Sequence, residues 1–236
     1  MNRRLLMLGV VSAVAALSSP AQTQQVPAER SPLWVEWKEI PSVVVMSTED
    51  DSRRRALHEA VDVWNTEFAM LGSPFRLGAI MHSLRAISAD DLRAWKARSR
   101  TNPVPPTLIA SVSEANGDVI VAMSDGDDFD SFASPFPSLR KALIAIRSLQ
   151  KYPFLLGIER NVIAHELGHA IGLGHNDDEA TLMCGGARCW HWAFPKEGFL
   201  PLTSAEKAKL REMYPPSREP KPSRRWRGDP PVRIPG

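Results

Sequence analysis

Apolar and polar positions divide the chain into short runs with different periods. Pro41-Ser42-Val43-Val44-Val45-Met46 is a β-branched run, which predicts a buried strand. Beyond it, Ala56, Ala60, Val63, Trp64 and Phe68 fall near helical spacing and predict an amphipathic helix. Ser47 or Thr48 is its expected cap, with Glu49, Asp50 and Asp51 in a first turn where the helix dipole favours acids. Gly72-Ser73-Pro74 ends it. Phe75–Met81 reads as a second strand, and Ser88-Ala89-Asp90-Asp91 opens a short helix to about Arg98. Asn102 to Pro106 reads as a loop. Leu108–Val112 and Val119–Met123 read as strands paired through Asn116-Gly117, a hairpin signal. Residues 125–138 read as a long loop rich in Asp, Ser, Gly and Pro, Ala142–Arg147 as an edge strand and residues 159–173 as a helix. Thr203-Ser204-Ala205-Glu206 has capping-box spacing and opens a last helix to about Met213, stopped by Pro215-Pro216. No internal repeat is visible.

The two ends of the chain follow other rules. Arg3 and Arg4 precede the apolar run Leu5 to Leu17, and Ser19-Pro20-Ala21 supplies small residues after it. That is the three-part pattern of a secretory signal peptide. A membrane anchor is the alternative, but a spanning helix needs about 20 apolar residues. The expectation is a secreted or periplasmic protein with no transmembrane segment. Residues 1–21 form the signal segment, 22–40 an extension, 41–214 the folded domain and 215–236 a disordered Pro- and Arg-rich tail.

Composition refines this only slightly. The chain is 43% hydrophobic and 24% charged, which fits a globular domain and excludes a disordered one. The net charge of +2 conceals an asymmetry. Six basic and two acidic side chains fall in residues 215–236, and Arg3 and Arg4 in the signal segment, so the body carries about −4. An acidic body argues against nucleic acid as a partner. The expected partner is a protein or peptide substrate, and the expected state a monomer. Export permits a disulfide, and Cys184 and Cys189 are five apart. A short-loop disulfide is the preferred reading; two free thiols, or a thiol reaching a metal, are the alternatives.

The chemistry lies in His165-Glu166-Leu167-Gly168-His169-Ala170-Ile171-Gly172-Leu173-Gly174-His175. Histidines four apart on a helix lie on one face, roughly 40° apart, as a single Zn²⁺ requires. Glu166, beside the first ligand but turned from it, is placed to act as general base on a water held by the metal. Gly172 and Gly174 are poor helix formers, and a left-handed glycine would end the helix and swing His175 back to the same ion. Three imidazoles leave a fourth position open, which separates a catalytic zinc from a structural one.

HExxHxxGxxH, matched here by His165, Glu166, His169, Gly172 and His175, resembles the signature of the metzincin metalloproteases. The resemblance implies an α+β catalytic domain with a twisted, mostly parallel sheet, an antiparallel edge strand, two long helices and a C-terminal helix. It implies that Met183, in Thr181-Leu182-Met183, forms a Met-turn beneath the imidazoles and does no chemistry. The short gap from His175 to Met183, and Leu202-Thr203 at the start of the last helix, resemble the matrixin branch. The specific resemblance covers about residues 165–214, with loose support from 42–70. There is no Pro-Arg-Cys-Gly switch, and residues 117–138 hold no His, so a second, structural zinc is not expected. Asp125, Asp127, Asp128 and Asp130 have donor atoms for Ca²⁺, though a solvated acidic loop is the preferred reading. Gly185 stands where two other metzincin branches carry a zinc-linked Tyr, and Cys184 where matrixins usually have Tyr.

The expected activity is therefore hydrolysis of peptide bonds by a zinc endopeptidase, with Glu166 passing a proton from water to the leaving amine and the strand near Ala142–Arg147 pairing with substrate. The rivals are a zinc-binding module without turnover and a self-processing or cell-wall peptide hydrolase. The Arg-rich tail could dock on an anionic surface, but a solvated tail is preferred. Trp190, His191 and Trp192 either line the substrate pocket or simply pack the loop. His58 and His82 have no motif around them and read as structural or exposed.

Overall fold

The computed structural model describes residues 36–98, 104–151, 158–186, 189, 198–218 and 221–222. The signal segment, most of the extension, Trp190, His191, Trp192 and most of the basic tail lie outside the described residues.

Five strands form the main sheet: β2 (Val43–Met46), β3 (Ile80–Ser83), β4 (Val119–Met123), β5 (Phe132–Phe136) and β6 (Lys141–Ile146). Their order is β3-β2-β4-β6-β5. All neighbours are parallel except β5, which runs antiparallel to β6 at the edge. The expected class, a mostly parallel sheet with an antiparallel edge and helices against it, is what the structure has. Strand side chains alternate between two cores. Val43, Val45, Val119, Val121, Ile144 and Ile146 face the long helices α1 (Arg53–Met70) and α4 (Glu159–Ala170). Val44, Met46, Ile120, Ala122, Leu143 and Ala145 face the short helices α2 (Ala89–Lys96) and α3 (Pro106–Glu114). Trp64 of α1 is fully buried and donates its indole N–H to the Ala164 carbonyl of α4 at 2.9 Å, fixing one long helix on the other.

Several expectations are corrected. Ala142–Arg147 is not an edge strand: β6 lies between β4 and β5 and every residue in it is buried. The antiparallel edge strand is β5, inside the segment read as loop, where Phe132, Ser134 and Phe136 are buried in alternation. Leu108–Val112 is not a strand. Pro106 opens α3, and Leu108 and Val112, four apart, form its buried stripe. Asn116-Gly117 therefore joins a helix to β4, and Gly117 lies so close to β2 that a Cβ would meet Val44 Cγ1 at 2.6 Å. Ser52, not Ser47 or Thr48, is the residue before α1, and the first turn holds no acid. Asp51 instead accepts from the Arg53 guanidinium at 2.6 and 2.9 Å. Of Phe75–Met81 only Ile80 and Met81 are in a strand, though Phe75 and Leu77 are buried.

The last helix, α5 (Ser204–Met213), has its capping box: Thr203 Oγ1 accepts from Glu206 N, and the Glu206 carboxylate accepts from Thr203 N. A two-stranded parallel pair, β1 (Glu39–Ile40) with β7 (Lys221–Pro222), joins the segments flanking the domain. Lys221–Pro222 lie within the tail expected to be disordered.

Candidate metal centre

Helix α4 carries the first two histidines and ends as the glycine pattern predicts. Gly172 has φ +103°, in the left-handed region. Its N–H reaches the His169 carbonyl at 3.0 Å and the Leu173 N–H reaches the Gly168 carbonyl at 2.9 Å. These two bonds make a Schellman motif. The helix is held from behind by Trp37, whose indole donates to the Ala170 carbonyl at 2.8 Å, and by the Tyr214 hydroxyl, which donates to the Ile171 carbonyl at 3.0 Å. Both carbonyls belong to the final turn, where helices leave acceptors unsatisfied. The chain then turns and brings His175 back over the helix.

The three imidazoles converge. The Nε2 atoms of His165, His169 and His175 lie 2.9 to 3.2 Å from one another. Among the described residues this is the one group of three or more His, Cys, Asp or Glu side chains with converging donors. A tetrahedral Zn²⁺ bonded to imidazole at about 2.0–2.1 Å spaces its donors by roughly 3.3 Å, so the triangle fits such an ion. Backbone carbonyls fix two of the rings: Leu182 O lies 2.7 Å from His165 Nδ1, and Leu173 O 2.9 Å from His169 Nδ1. With Nδ1–H donated to a carbonyl, the lone pair faces inward on Nε2. Burial holds the His169 imidazole down at about 4, with His175 and Lys96 adding to the fall, so it is held in the neutral, ligating form. The triad can bind one zinc ion.

Glu166 is 4% exposed and is not one of the converging donors. Burial pushes its carboxyl up to about 8, against the opposing charge of Lys96 and a hydrogen bond donated by Ala133 N–H; Asp130 adds to the rise. A divalent cation on the neighbouring imidazoles would pull the other way and favour the carboxylate. The Ala133 contact ties Glu166 to the edge strand β5.

Beneath the site, Met183 is fully buried with its sulfur against Gly168, where a Cβ would also come within 3.0 Å of Trp64 Cζ2. Residues missed in the sequence set this floor. Asn176 N donates to Met183 O and Gly185 N to Asn176 O, both at 2.9 Å, forming a bridge between Asn176 and Cys184. The Asn176 amide donates to Thr181 Oγ1 at 2.9 Å and to Glu206 Oε1 at 2.6 Å, so the cap of α5 also holds the loop bearing His175. Asn161 of α4 holds residues 198–200 through Gly198 O and Leu200 N at 3.0 Å each. Asn161 stands beside an apolar run and Asn176 among polar residues, and neither belongs to a motif. Cys184 and Cys189 are joined as a disulfide with Cα atoms 5.5 Å apart. No side chain fits at Gly185 with His175 in place: a Cβ there would overlap Cγ, Cδ2 and Nδ1 of His175.

No protein-family model matches the chain, and no curated protein matches its sequence. Solved structures do resemble it. Archaemetzincin from Methanopyrus kandleri is 14% identical, with a TM-score of 0.44 over 73% of this chain and 93% of that one. A chain from a chaperone–substrate complex is 17% identical, with a TM-score of 0.39 over 64% of this chain and 28% of that one. The chemistry is read from the geometry above.

The remaining candidates separate from the site. Asp125, Asp127, Asp128 and Asp130 form ion pairs with Arg53, Lys151, Arg93 and Arg147 respectively. His58 and His82 stack with ring centres 5.7 Å apart, and His82 Nδ1 accepts from Arg54. Among the described residues no helix is long and apolar enough to cross a membrane.

Proposed function

We propose that this chain is an exported zinc endopeptidase of the matrixin-like kind, with Glu166 as general base. The observation that carries the reading is the convergence of three inward Nε2 atoms beside a buried carboxylate tied to the edge strand β5. His165, His169 and His175 would hold the ion. A bound Zn²⁺ supplies Lewis acidity, polarising a carbonyl and lowering the pKa of water. Among the described residues no strand pairs with the outer edge of β5, where an extended peptide can add to the sheet as another strand. Glu166 then takes a proton from the attacking water on its carboxylate and returns it to the leaving amine. Ala133 N–H would orient that carboxylate.

Removal and return of metal tests this. Dialysis against a chelator is expected to abolish cleavage of casein, and one equivalent of Zn²⁺ to restore it. Zinc binding without cleavage would instead favour a binding module, and cleavage indifferent to chelation would end the metal reading.

Export rests on Arg3, Arg4, the Leu5–Leu17 run and Ser19-Pro20-Ala21, with the Cys184–Cys189 disulfide in keeping. N-terminal sequencing of protein recovered outside the cytoplasm is expected to begin near Gln22. Recovery only inside the cell, with Arg3 and Arg4 still attached, would refute it.

A further inference from the structure

The edge strand that reaches Glu166 carries on its other face a charge that catalysis does not need. Lys96, the last residue of α2, is exposed, and its Nζ lies 5.3 Å from the centre of the Phe132 ring. Phe132 opens the edge strand, and the next residue, Ala133, is the one that donates to Glu166. The ammonium thus stands over the first residue of the edge strand, one position before Ala133. Two residues on, the Arg98 guanidinium lies 3.8 Å above the Trp95 ring and 3.4 Å from Ser134 Oγ on the same strand.

The nearby acids are taken by other cations. Asp127 pairs with Lys151, Asp128 with Arg93 and Asp130 with Arg147. Among the described residues, no carboxylate lies within 4.0 Å of Lys96 or Arg98. Two cations therefore border the edge strand of an otherwise acidic body. Phe132 and Ser134, two apart, point to the α2 face of the sheet. A peptide added alongside β5 would turn every second side chain to that face.

We propose that Lys96, with Arg98 beyond it, makes the cleft select peptides bearing a carboxylate side chain close to the scissile bond, with a second acid favoured two residues away. The inference rests on the peptidase reading above and deepens it. A partly exposed pair is worth a fold-change of about three- to fivefold at low salt, shrinking as salt screens it.

The test uses the zinc-loaded protein. The cleavage site is mapped in casein, and peptides around it are made in pairs differing only by Glu or Gln at each flanking position, with amidated C-termini. At low ionic strength kcat/KM is expected to be about three- to fivefold higher for Glu at one flanking position. That preference should survive Lys96→Arg, vanish in Lys96→Met and reverse towards Lys-containing peptides in Lys96→Glu. Equal rates for Glu and Gln throughout, or a preference unmoved by Lys96→Met, overturn the inference while leaving the peptidase intact. A preference seen only when the C-terminus is a free carboxylate overturns the side-chain assignment. If casein itself is not cleaved, the peptidase reading and this inference fall together.

Discussion

Glu166→Gln is expected to reduce kcat/KM for a casein-derived peptide by roughly 10²–10⁴-fold, the range for loss of a general acid–base. Zinc content should stay at one ion per chain. The substitution isolates the proton. Glutamine keeps the volume and an acceptor oxygen for Ala133 N–H, so the edge-strand contact survives. It cannot take a proton from water. The three converging donors are all histidines, so the ion loses no ligand. A thousandfold loss corresponds to about 4 kcal/mol of transition-state stabilisation. That exceeds what a buried, neutral replacement of the same shape should cost in folding. Metal analysis and peptide kinetics on the same preparation decide the matter. Hydrolysis within a few-fold of the parent would remove Glu166 from the mechanism.

Gly185→Ala has the next largest expected effect and acts through one ligand. The backbone at Gly185 is not in the left-handed region, unlike Gly172 and Gly186, so alanine adds no conformational strain. Its methyl group would overlap the body of the His175 ring, not a flexible tip. His175 is the most exposed of the three ligands and can swing towards solvent. The fold should therefore survive, with a melting temperature within a few degrees of the parent, while zinc affinity falls about 100-fold or more. Competition with a chromogenic chelator measures the affinity. Unchanged zinc binding would mean that His175 is not a ligand. Gly186→Ala is a useful control, since nothing lies within 4 Å of its Cβ position and only the positive φ is strained.

The parts of the molecule legible in the sequence are those specified locally. The turn at Gly172 depends on one residue type at one backbone angle, and the α5 cap on Thr203 and Glu206 three apart. β2 announces itself by Val43-Val44-Val45. Elsewhere local signals conflict. β5 is short, follows an acidic stretch and contains Pro135, and such a residue is tolerated because the strand lies at the edge. Ala142–Ile146 of β6 are all apolar, as β2 is, which is the composition of a strand covered on both faces and not of an edge. Leu108 and Val112 are compatible with either period until Pro105-Pro106 is recognised as a helix start. Trp37, Asn161, Asn176 and Lys96 were beyond reach for another reason. Each acts on a partner distant along the chain, as when Trp37 meets Ala170, and nothing in its own neighbourhood marks the pairing.

The indole of Trp37 and the hydroxyl of Tyr214 meet behind α4, and the backbone N–H of Trp37 also reaches the Tyr214 oxygen at 3.4 Å. Glu39–Ile40 pair with Lys221–Pro222 just outside them, and Arg218 pairs with Glu36. These contacts make a clasp in which the segments before and after the sheet domain close on each other across the back of the ligand helix. A shortened polypeptide spanning only 41–214 would keep every histidine, and Tyr214 on the Ile171 carbonyl, yet lose Trp37 and with it the donor to the Ala170 carbonyl in the last turn of the helix. Any peptide fused at either side is likewise joined, through one residue of backbone and one ring, to the geometry of the metal centre.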